Sequence, residues 1–474
     1  MNVITLVCDT LRWDHLGCYG NDWIHTPNFD KLAGMSTVFD RAYLHNFPTV
    51  PARCDMWTGR YTAAYFDWGP LPRDETILSQ VLSDDGVTTM LIGDTGNLFR
   101  DDYFFSRGFD AFHWVRGQVA DRYQTAPIDV DVSDVADASF DMTADLVGYL
   151  RSTRDRRYEE EYLPAETFRD AIRWLGMNHK WDRFYLHLDI FDPHEPWDPP
   201  QWYVERYDPG YEGREIIFPL YAAADYLTPA ELNHCRALYA GEVSLVDTWL
   251  GHFLATVENL GLLENTAIIL ASDHGFYLGE HNWMGKSSIQ KGLHRFVPLY
   301  EEVAHVPLLV YLPGVKPGRS NALAQPVDMA PTVLDIMGLP TPDTMQGRSW
   351  MPLLKGDTKS LRDFAWSGPP VHNRGKYRPS TVTTDDGWSM IHNGLIEPPA
   401  GDRALYAVDG KVREEILPAS LPDTELYYLP DDPGQQRNLF HERRDIAENI
   451  HRRYIQFLEE LNVPETALEL RRQL

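Results

Sequence analysis

The chain lacks long hydrophobic runs, closely spaced cysteines and an excess of positive charge. Its apolar stretches stop well short of the roughly 20 residues that a membrane-spanning helix needs. The 4 cysteines show no metal-type spacing and are expected to be reduced thiols. The N-terminus enters a strand pattern almost at once, without the charged start and apolar core of a signal peptide, so we expect a cytoplasmic protein.

Charge limits the partners further. The sequence carries 70 acidic against 43 basic residues, a net charge of −27. The resulting field repels nucleic acids and anionic membranes, and neither is expected as a partner. A small anionic substrate remains compatible with this charge, because a metal ion and a few basic side chains reverse the potential inside one pocket.

What is present is a pattern of alternating strands and helices. Short apolar runs, most of them ending in polar residues, predict strands at 2–8, 87–93, 184–190, 266–271 and 306–312. Helix signals predict a start at Thr26-Pro27, a long helix over 229–260 and a helix after Asp328 that Gly338 ends. We therefore expect an α/β fold with a large central, mostly parallel sheet sandwiched by helices and with ligands at the carboxyl ends of its strands.

A Gly- and Pro-containing stretch at 355–369 suggests a boundary between a first domain, 1–360, and a small C-terminal α+β unit, 361–474. Strand patterns at 377–383, 387–392, 404–408 and 425–429 predict an antiparallel sheet there, closed by a helix over 443–461. Aromatic insertions at 100–165 and 191–228 fit a substrate rim, a subunit contact of a homo-oligomer, or structural filling.

Two predicted strand ends carry metal-ligand side chains. Asp9 follows the first strand, and Asp273 with His274 follows the strand at 266–271. Gly275 lets the backbone turn there, so that both side chains can face one way. Carboxylate and imidazole ligands together suit Mn²⁺, Zn²⁺ or Fe²⁺, and Ca²⁺ or Mg²⁺ less well. A lone acid at a strand end is more often a cap, so spacing alone leaves both interpretations open.

Thr49 is the candidate nucleophile. Pro51 favours a helix start at this point, Gly59 ends that helix, and Arg53 lies one turn after Thr49 on the same face. The positive end of a helix stabilises an alkoxide and attracts an anionic substrate. The plainer alternative is that Thr49 only caps the helix.

Three further side chains, His194, His281 and Lys286, follow predicted strands. Each is a weak signal by itself, because basic residues in loops are usually solvated. Their shared position at carboxyl ends of strands makes them candidates for acid catalysis by a His and for oxyanion stabilisation by the Lys.

Together these motifs resemble the sulfatase family of the alkaline phosphatase superfamily, in order and over nearly the whole chain. The matching segments are Asp9 to Gly20, Thr26-Pro27-Asn28, Pro51 and Arg53 with Thr58-Gly59-Arg60, Ser272 to Gly275, Gly279 to His281, Val306-Pro307-Leu308, Val327 to Thr332, and Glu425 to Leu439. The resemblance implies an alkaline phosphatase-like catalytic domain, ester hydrolysis, and one divalent ion held by Asp9, Thr49, Asp273 and His274. Mn²⁺ or Ca²⁺ is the favoured ion, with Zn²⁺ or Mg²⁺ as alternatives.

Departures from the family pattern decide the expected chemistry. Active sulfatases carry Cys or Ser at the position of Thr49, where it is oxidised to formylglycine; formylglycine is not expected here, and no Pro-x-Arg follows Cys54. Thr10 replaces a second metal-binding Asp, and Asp94 and Gly96 stand where arylsulfatases carry a catalytic Lys and His. His274, Lys286 and His194 resemble instead the branch of phosphonate monoester hydrolases and phosphodiesterases.

Three functions follow as alternatives. The first is hydrolysis of phosphate or phosphonate esters, with Thr49 as nucleophile, Arg53 and Lys286 on the phosphoryl oxygens, and His194 or His281 as leaving-group acid. The second is a sulfuric ester hydrolase in which Thr49 works unmodified or stands as a substitution. The third is a catalytically silent member that binds a metal and an anion. The expected substrate in the first two cases is a small anionic ester.

Overall fold

The computed structural model describes residues 1–100, 102–127, 130, 143–290, 293–372, 378–393, 403–408, 411–416 and 423–474. Predictions within 128–129, 131–142, 373–377 and 394–402 lie outside these residues. No helix in the described part of the chain is long and apolar enough to cross a membrane.

The strands of the described residues belong to one large and three small sheets. They are β1 Asn2–Cys8, β2 Thr37–Phe39, β3 Thr88–Gly93, β4 Ala111–Trp114, β5 Phe184–Ile190, β6 Ala222–Ala223, β7 Thr266–Ser272, β8 Tyr277–Leu278, β9 Trp283–Gly285, β10 Ser287–Gln290, β11 Leu293–Phe296, β12 Leu308–Tyr311, β13 Gly318–Ser320, β14 Phe364–Ser367, β15 Ser380–Thr384, β16 Trp388–His392, β17 Arg403–Val408, β18 Lys411–Ile416 and β19 Glu425–Tyr428.

The α-helices are α1 Pro27–Gly34, α2 Thr49–Thr58, α3 Leu78–Asp84, α4 Gly96–Phe99, α5 Thr143–Thr153, α6 Leu163–Asn178, α7 Gln201–Val204, α8 Pro229–Asn259, α9 Glu301–Ala304, α10 Met329–Met337, α11 Met351–Leu354, α12 Arg444–Glu460 and α13 Glu465–Leu468. The predicted helix at 229–260 is thus confirmed as α8. Gly338 ends α10 in the left-handed conformation, with φ of 74°. Helix α1 begins at Pro27, as predicted, and the Thr26 hydroxyl before it accepts a hydrogen bond from Gly17 N and does not cap the helix.

The central sheet has eight strands in the order β13-β2-β12-β7-β1-β5-β3-β4. Strands β7, β1, β5, β3 and β4 run parallel, which confirms the mostly parallel sheet. The strand predicted at 306–312 was expected within a parallel set, but β12 runs antiparallel to both β7 and β2. Strand β1 lies in the middle, so its carboxyl end opens between those of β5 and β7.

Helices cover both faces of this sheet. Successive residues of β1 point to opposite sides: Val3 and Val7 pack into a core that includes α2 and α10, whereas Ile4 and Leu6 pack into one that includes α6 and α8. All of these side chains are fully buried. Burial on both faces explains why the strands read as continuous apolar runs.

The C-terminal sheet has the order β14-β15-β16-β19 and is antiparallel, as predicted. Helix α12 packs on it through Tyr454 and Leu458. The run at 404–408 was expected in this sheet, but β17 pairs with β18 in a separate sheet, and β14 takes the edge position. Tyr61 and Val327 of the first unit join the same core, and the boundary at 360 remains a prediction.

Candidate active site

Three metal-type ligands meet at the carboxyl ends of two adjacent strands. Asp9 follows β1, Asp273 and His274 follow β7, and the parallel register aligns Cys8 with Ser272. One ligand atom from each of the three lies within 4.8 Å of the others, and all three residues are buried. Asp9 Oδ2 accepts no hydrogen bond among the described residues, although Arg53 Nη1 lies 3.0 Å from it. Buried carboxylates beside an imidazole fit a divalent cation.

The His274 ring is oriented by its own backbone. Its Nδ1–H donates to Gly275 O at 3.0 Å, which turns Nε2 toward Asp273 Oδ2 at 3.5 Å and Asp9 Oδ1 at 3.9 Å. Burial, and then the positive charge of Lys286, lower the pKa of His274 well below its ordinary value. The ring is therefore neutral, the form in which imidazole binds metals.

Thr10 donates hydrogen bonds to both carboxylates of the ligand cluster. Its backbone N–H donates to Asp273 Oδ1 at 3.1 Å and its hydroxyl donates to Asp9 Oδ1 at 2.7 Å. Its φ of 65° is the left-handed region, which lets one residue reach both carboxylates. Thr10 thus orients the two carboxylates.

Thr49 is the first residue of α2, and its hydroxyl faces the ligand cluster. Oγ1 lies 3.5 Å from His274 Nε2 and 3.5 Å from Lys286 Nζ. The side chain makes no capping hydrogen bond, because the cap position belongs to Pro48. Gly59 ends the helix in the left-handed conformation, as the sequence predicted. Since Thr49 is only 2% exposed, its hydroxyl is placed for chemistry in a sheltered site.

Arg53 is fully buried and saturated by carboxylates. Its Nε and Nη2 donate to the two oxygens of Asp189 at 2.8 and 2.9 Å. Its Nη1 lies 2.5 Å from Asp273 Oδ2 and 3.0 Å from Asp9 Oδ2. Arg53 therefore ties α2 to three strands and neutralises charge around the metal ligands. Direct contact between Arg53 and a substrate oxygen remains a prediction.

The two carboxylates of the ligand cluster, Asp9 and Asp273, differ electrostatically. Burial raises the pKa of Asp9, but attraction by Arg53 and Lys286 outweighs it and holds that pKa below its ordinary range. Burial and repulsion by Asp9 raise the pKa of Asp273 to about 7. Asp9 is thus the more strongly ionised carboxylate of the two. A bound cation favours the ionised form of both.

Lys286, which follows β9, links the cluster to His194. Its Nζ lies 2.8 Å from His194 Nε2 and 3.3 Å from His274 Nε2, in addition to its contact with Thr49. An ammonium group has three donors, and these three acceptors use them. No carboxylate lies within ion-pair distance of Lys286 in the described part of the chain, so its charge is available to an anionic ligand.

His194 lies in the turn after β5. Its ring stacks on Phe191 with centroids 4.1 Å apart, and its Nδ1–H donates to Glu195 O at 2.7 Å. Burial, and then the charge of Lys286, lower the pKa of His194 to about 3. The neutral ring accepts a hydrogen bond from Lys286, and this protonation state does not support the expectation that His194 itself protonates a leaving group.

His281 is not brought together with these residues. It stacks on Tyr300 with centroids 3.7 Å apart, and its Nε2 lies 3.5 Å from Glu302 Oε2. Within the described residues it makes no recorded contact with Thr49 or Lys286. This placement does not support the expectation that His281 protonates a leaving group.

Asp189 is a residue of the site that the sequence analysis did not name. It lies inside β5 opposite Val7 of β1, is fully buried, and also accepts a hydrogen bond from the Thr95 hydroxyl. The signal was present in the strand, where His187 and Asp189 interrupt an otherwise apolar run at alternate positions. Nearby, burial and repulsion by Asp189 raise the pKa of Asp94 to about 7, although a hydrogen bond from Phe191 N opposes the shift.

Comparisons with known proteins identify the family of the chain. The profile of the family described as Sulfatase matches residues 1–339. An arylsulfatase of Clostridium perfringens is 25% identical over 408 residues, covering 77% of this chain and 80% of its own length. An N-acetylglucosamine-6-O-sulfatase of Bacteroides thetaiotaomicron is 25% identical over 532 residues, covering 94% and 90%.

Among solved structures, the phosphonate monoester hydrolase of Agrobacterium radiobacter covers 97% of this chain and 95% of its own, with a TM-score of 0.70 and 20% identity. At that identity the likeness shows the fold. The family profile, by contrast, covers most of the chain and includes every residue of the cluster around Thr49. On this evidence the chain belongs to the sulfatase family and is an ester hydrolase.

Proposed function

We propose that this chain hydrolyses phosphate or phosphonate esters in a metal-dependent reaction with Thr49 as the nucleophile. The observation that carries the proposal is the position of Thr49 Oγ1, 3.5 Å from both Lys286 Nζ and His274 Nε2 at the start of α2. A hydroxyl that is buried, free of a capping role and next to a cation is activated for attack on an anionic ester.

Asp9, Asp273 and His274, joined by the Thr49 hydroxyl, would hold one divalent ion, for which we propose Mn²⁺ or Ca²⁺ in the first place. When bound, the ion supplies Lewis acidity and stabilises negative charge on oxygen. Three carboxylates, counting Asp189, face the two cationic side chains Arg53 and Lys286. A divalent ion therefore leaves the centre net positive, which suits an anionic ester despite the charge of the whole chain.

In the first step, Thr49 Oγ forms a bond to phosphorus and the bond from phosphorus to the leaving oxygen breaks. Lys286 stabilises the alkoxide through its hydrogen bond to Oγ1, and its charge stabilises the phosphoryl oxygens. The proton that Thr49 loses passes through Lys286 Nζ to His194 Nε2, and the leaving oxygen, on the opposite side of phosphorus, takes its proton from water. His194 holds Nζ in place through its 2.8 Å contact.

In the second step, water attacks phosphorus and the Thr49 oxygen leaves and regains its proton. The products are an alcohol, or phenol, and a phosphate or phosphonate. Thr49 has a single hydroxyl and cannot expel the product through a second one, so its ester must be cleaved at phosphorus. This requirement favours phosphorus over sulfur, because a sulfated threonine would be hard to clear.

A sulfuric ester hydrolase is the second candidate, and the names of the relatives favour it. Both the Clostridium and the Bacteroides proteins are described as sulfatases. Under this alternative, Thr49 either acts without modification or is a substitution for the residue that the active enzyme carries at position 49. The third candidate, a silent member that binds a metal and an anion, would keep the ligand cluster and lose turnover. For all three we propose a cytoplasmic protein with a small anionic ligand.

The deciding experiment compares four aryl esters: a phosphate monoester, a phosphate diester, a phosphonate monoester and a sulfate. The chain is stripped of metal and resupplied with Mn²⁺, Ca²⁺, Zn²⁺ or Mg²⁺, and Thr49→Ala and Thr49→Ser are assayed alongside. Phosphoester cleavage that Thr49→Ala loses and Thr49→Ser retains supports the proposal, as does phosphothreonine detected at position 49 by mass spectrometry. Sulfate cleavage alone, or phosphoester cleavage that Thr49→Ala retains, contradicts it.

A further inference from the structure

A cavity of about 510 Å³ lies at the end of α2 opposite to Thr49. Its walls come from the segment after α2, from β14 and from α12, and include Tyr61, Gln346, Trp366, Arg453 and Phe457. Because α2 has 10 residues, its two ends are about 15 Å apart, so this cavity is separate from the active centre. Its volume falls in the range of small-molecule sites.

Two arginines give the cavity positive charge that the protein does not fully neutralise. Arg348 is exposed, donates to Leu361 O, and has no carboxylate within ion-pair distance among the described residues. Arg453 Nη2 lies 2.8 Å from Asp363, whose side chain is 70% exposed, and such exposed pairs are weak. Arg362, by contrast, is buried and bound to Asp328, and it forms part of the fixed wall.

Apart from the exposed carboxylates of Asp363 and Glu460, the polar groups around the cavity are mainly donors. The indole N–H of Trp366 is buried and finds no acceptor among the described residues. Gln346 Oε1 already accepts from Tyr61 N at 3.0 Å, which leaves the amide N–H₂ of Gln346 for a ligand. Gln325 Oε1 accepts from both Tyr61 and Arg362 and is also used. A ligand that satisfies this wall must supply acceptor oxygens.

The remaining wall is aromatic. The rings of Phe364 and Phe457 meet edge to face with centroids 5.4 Å apart, and the ring of Trp366 lies 6.2 Å from that of Phe457. The Arg453 guanidinium lies 5.3 Å from the Phe364 ring. A flat ring can pack on this surface while an attached anion reaches the arginines.

We propose that this cavity is a second binding site, which takes a small ring-bearing ester anion. Its phosphate or sulfate group contacts Arg348 and Arg453, and its ring packs against Phe364 and Phe457. Among the lining residues three arginines outnumber the two acids, Asp363 and Glu460, and in a chain with a net charge of −27 this local excess of positive charge suits such an anion. The site does not depend on which ester the active centre cleaves.

The test uses the full chain with Thr49→Ala, so that the ester is not consumed. Calorimetric titration with 4-nitrophenyl phosphate, 4-nitrophenyl sulfate and inorganic phosphate should show a site outside the active centre. Arg348→Gln and Arg453→Gln should each weaken binding at this site about tenfold, as expected for loss of a charged hydrogen bond. Tighter binding of the aryl esters than of inorganic phosphate supports a contribution from the ring, whereas equal binding contradicts the ring part of the proposal.

Arg452→Gln is the matched control, since Arg452 precedes Arg453 on α12, is exposed and does not line the cavity. Binding that is equal in Arg348→Gln, Arg453→Gln and Arg452→Gln overturns the proposal. A tungstate soak of crystals of the full chain gives an independent position: an anomalous peak beside Arg348 and Arg453 supports the site, and a peak in the active centre alone overturns it. Loss of turnover in Thr49→Ala does not bear on either outcome.

Discussion

The two ends of helix α2 lie in contrasting surroundings. At the first end, Arg53 is fully buried and its guanidinium is bound by Asp9, Asp189 and Asp273. At the other end, Arg348 has no carboxylate within ion-pair distance among the described residues, and Arg453 has only an exposed one. An arginine whose donors are taken by protein carboxylates holds protein groups in place, whereas an arginine without such partners is available to a ligand.

Inside the active centre, Lys286 resembles Arg348, because no carboxylate lies within ion-pair distance of it among the described residues. It is 7% exposed, and its hydrogen-bond partners are two neutral rings and a hydroxyl. A buried ammonium group that has lost most of its hydration, and that no carboxylate of the described residues contacts directly, attracts an anionic substrate strongly. The active centre therefore combines a saturated cation, Arg53, with an unsaturated one.

The largest expected effect is on turnover, and it differs between substitutions at the two ends of α2. Thr49→Ala should reduce turnover at least about a thousandfold, because the nucleophile is removed. Arg348→Gln should leave kcat/KM with an aryl phosphate within about twofold, because this residue lies beyond the other end of the helix. Steady-state kinetics on both variants checks the contrast. A residual rate in Thr49→Ala close to that of the unaltered chain would show that another group attacks.

Removing the metal should come next in size. Chelation should abolish measurable turnover, because Asp9, Asp273 and His274 form a ligand set whose ion carries part of the charge stabilisation. Adding Mn²⁺ or Ca²⁺ back should restore activity and raise the melting temperature, since the ion binds the folded state. Asp9→Asn should lose this thermal response. An unchanged melting temperature across all divalent ions would contradict a metal site at this cluster.

Asp189→Asn tests the surroundings of Arg53 through the free energy of unfolding. The change removes a charge from the pair of bonds that Asp189 makes with Arg53, and breaking a buried pair costs about 3–5 kcal/mol. Urea unfolding should show this loss. Asp182→Asn, an exposed change just before β5, is the control and should alter stability by less than about 0.5 kcal/mol. Equal unfolding midpoints for the two variants would show that Arg53 does not need Asp189.

The smallest expected effect concerns the two histidines. His194→Ala should lower kcat/KM about tenfold to a hundredfold, because Lys286 loses its 2.8 Å partner. His281→Ala should change it by less than about threefold, because His281 contacts Tyr300 and Glu302 in place of the reacting groups. Kinetics on the two variants, with folding checked by circular dichroism, distinguishes them. A larger loss in His281→Ala would return that residue to the leaving-group role.

Hydrophobic periodicity and helix-ending glycines were sufficient to predict much of the fold. Strands β1, β3, β5 and β7 lie within about a residue of the predicted runs, because strands buried on both faces leave continuous apolar segments. Gly59 and Gly338 end their helices as expected, since few other residues adopt a positive φ at low cost. The direction of β12 and the partner of β17 were missed, because neither depends on the local sequence.

The sequence by itself determined which side chains stand at strand ends and at the start of α2, and so the chemistry that Asp9, Thr49, Asp273 and His274 can perform. Tertiary structure alone decided which of the further candidates joins them. Lys286 contacts both Thr49 and His194, His281 turns to Tyr300, and Asp189 enters from β5 to hold Arg53. The physical reason is that local preferences act over a few residues, whereas the contacts of Lys286, His194 and Asp189 join residues more than 90 positions apart, and only the packing of the sheet fixes them.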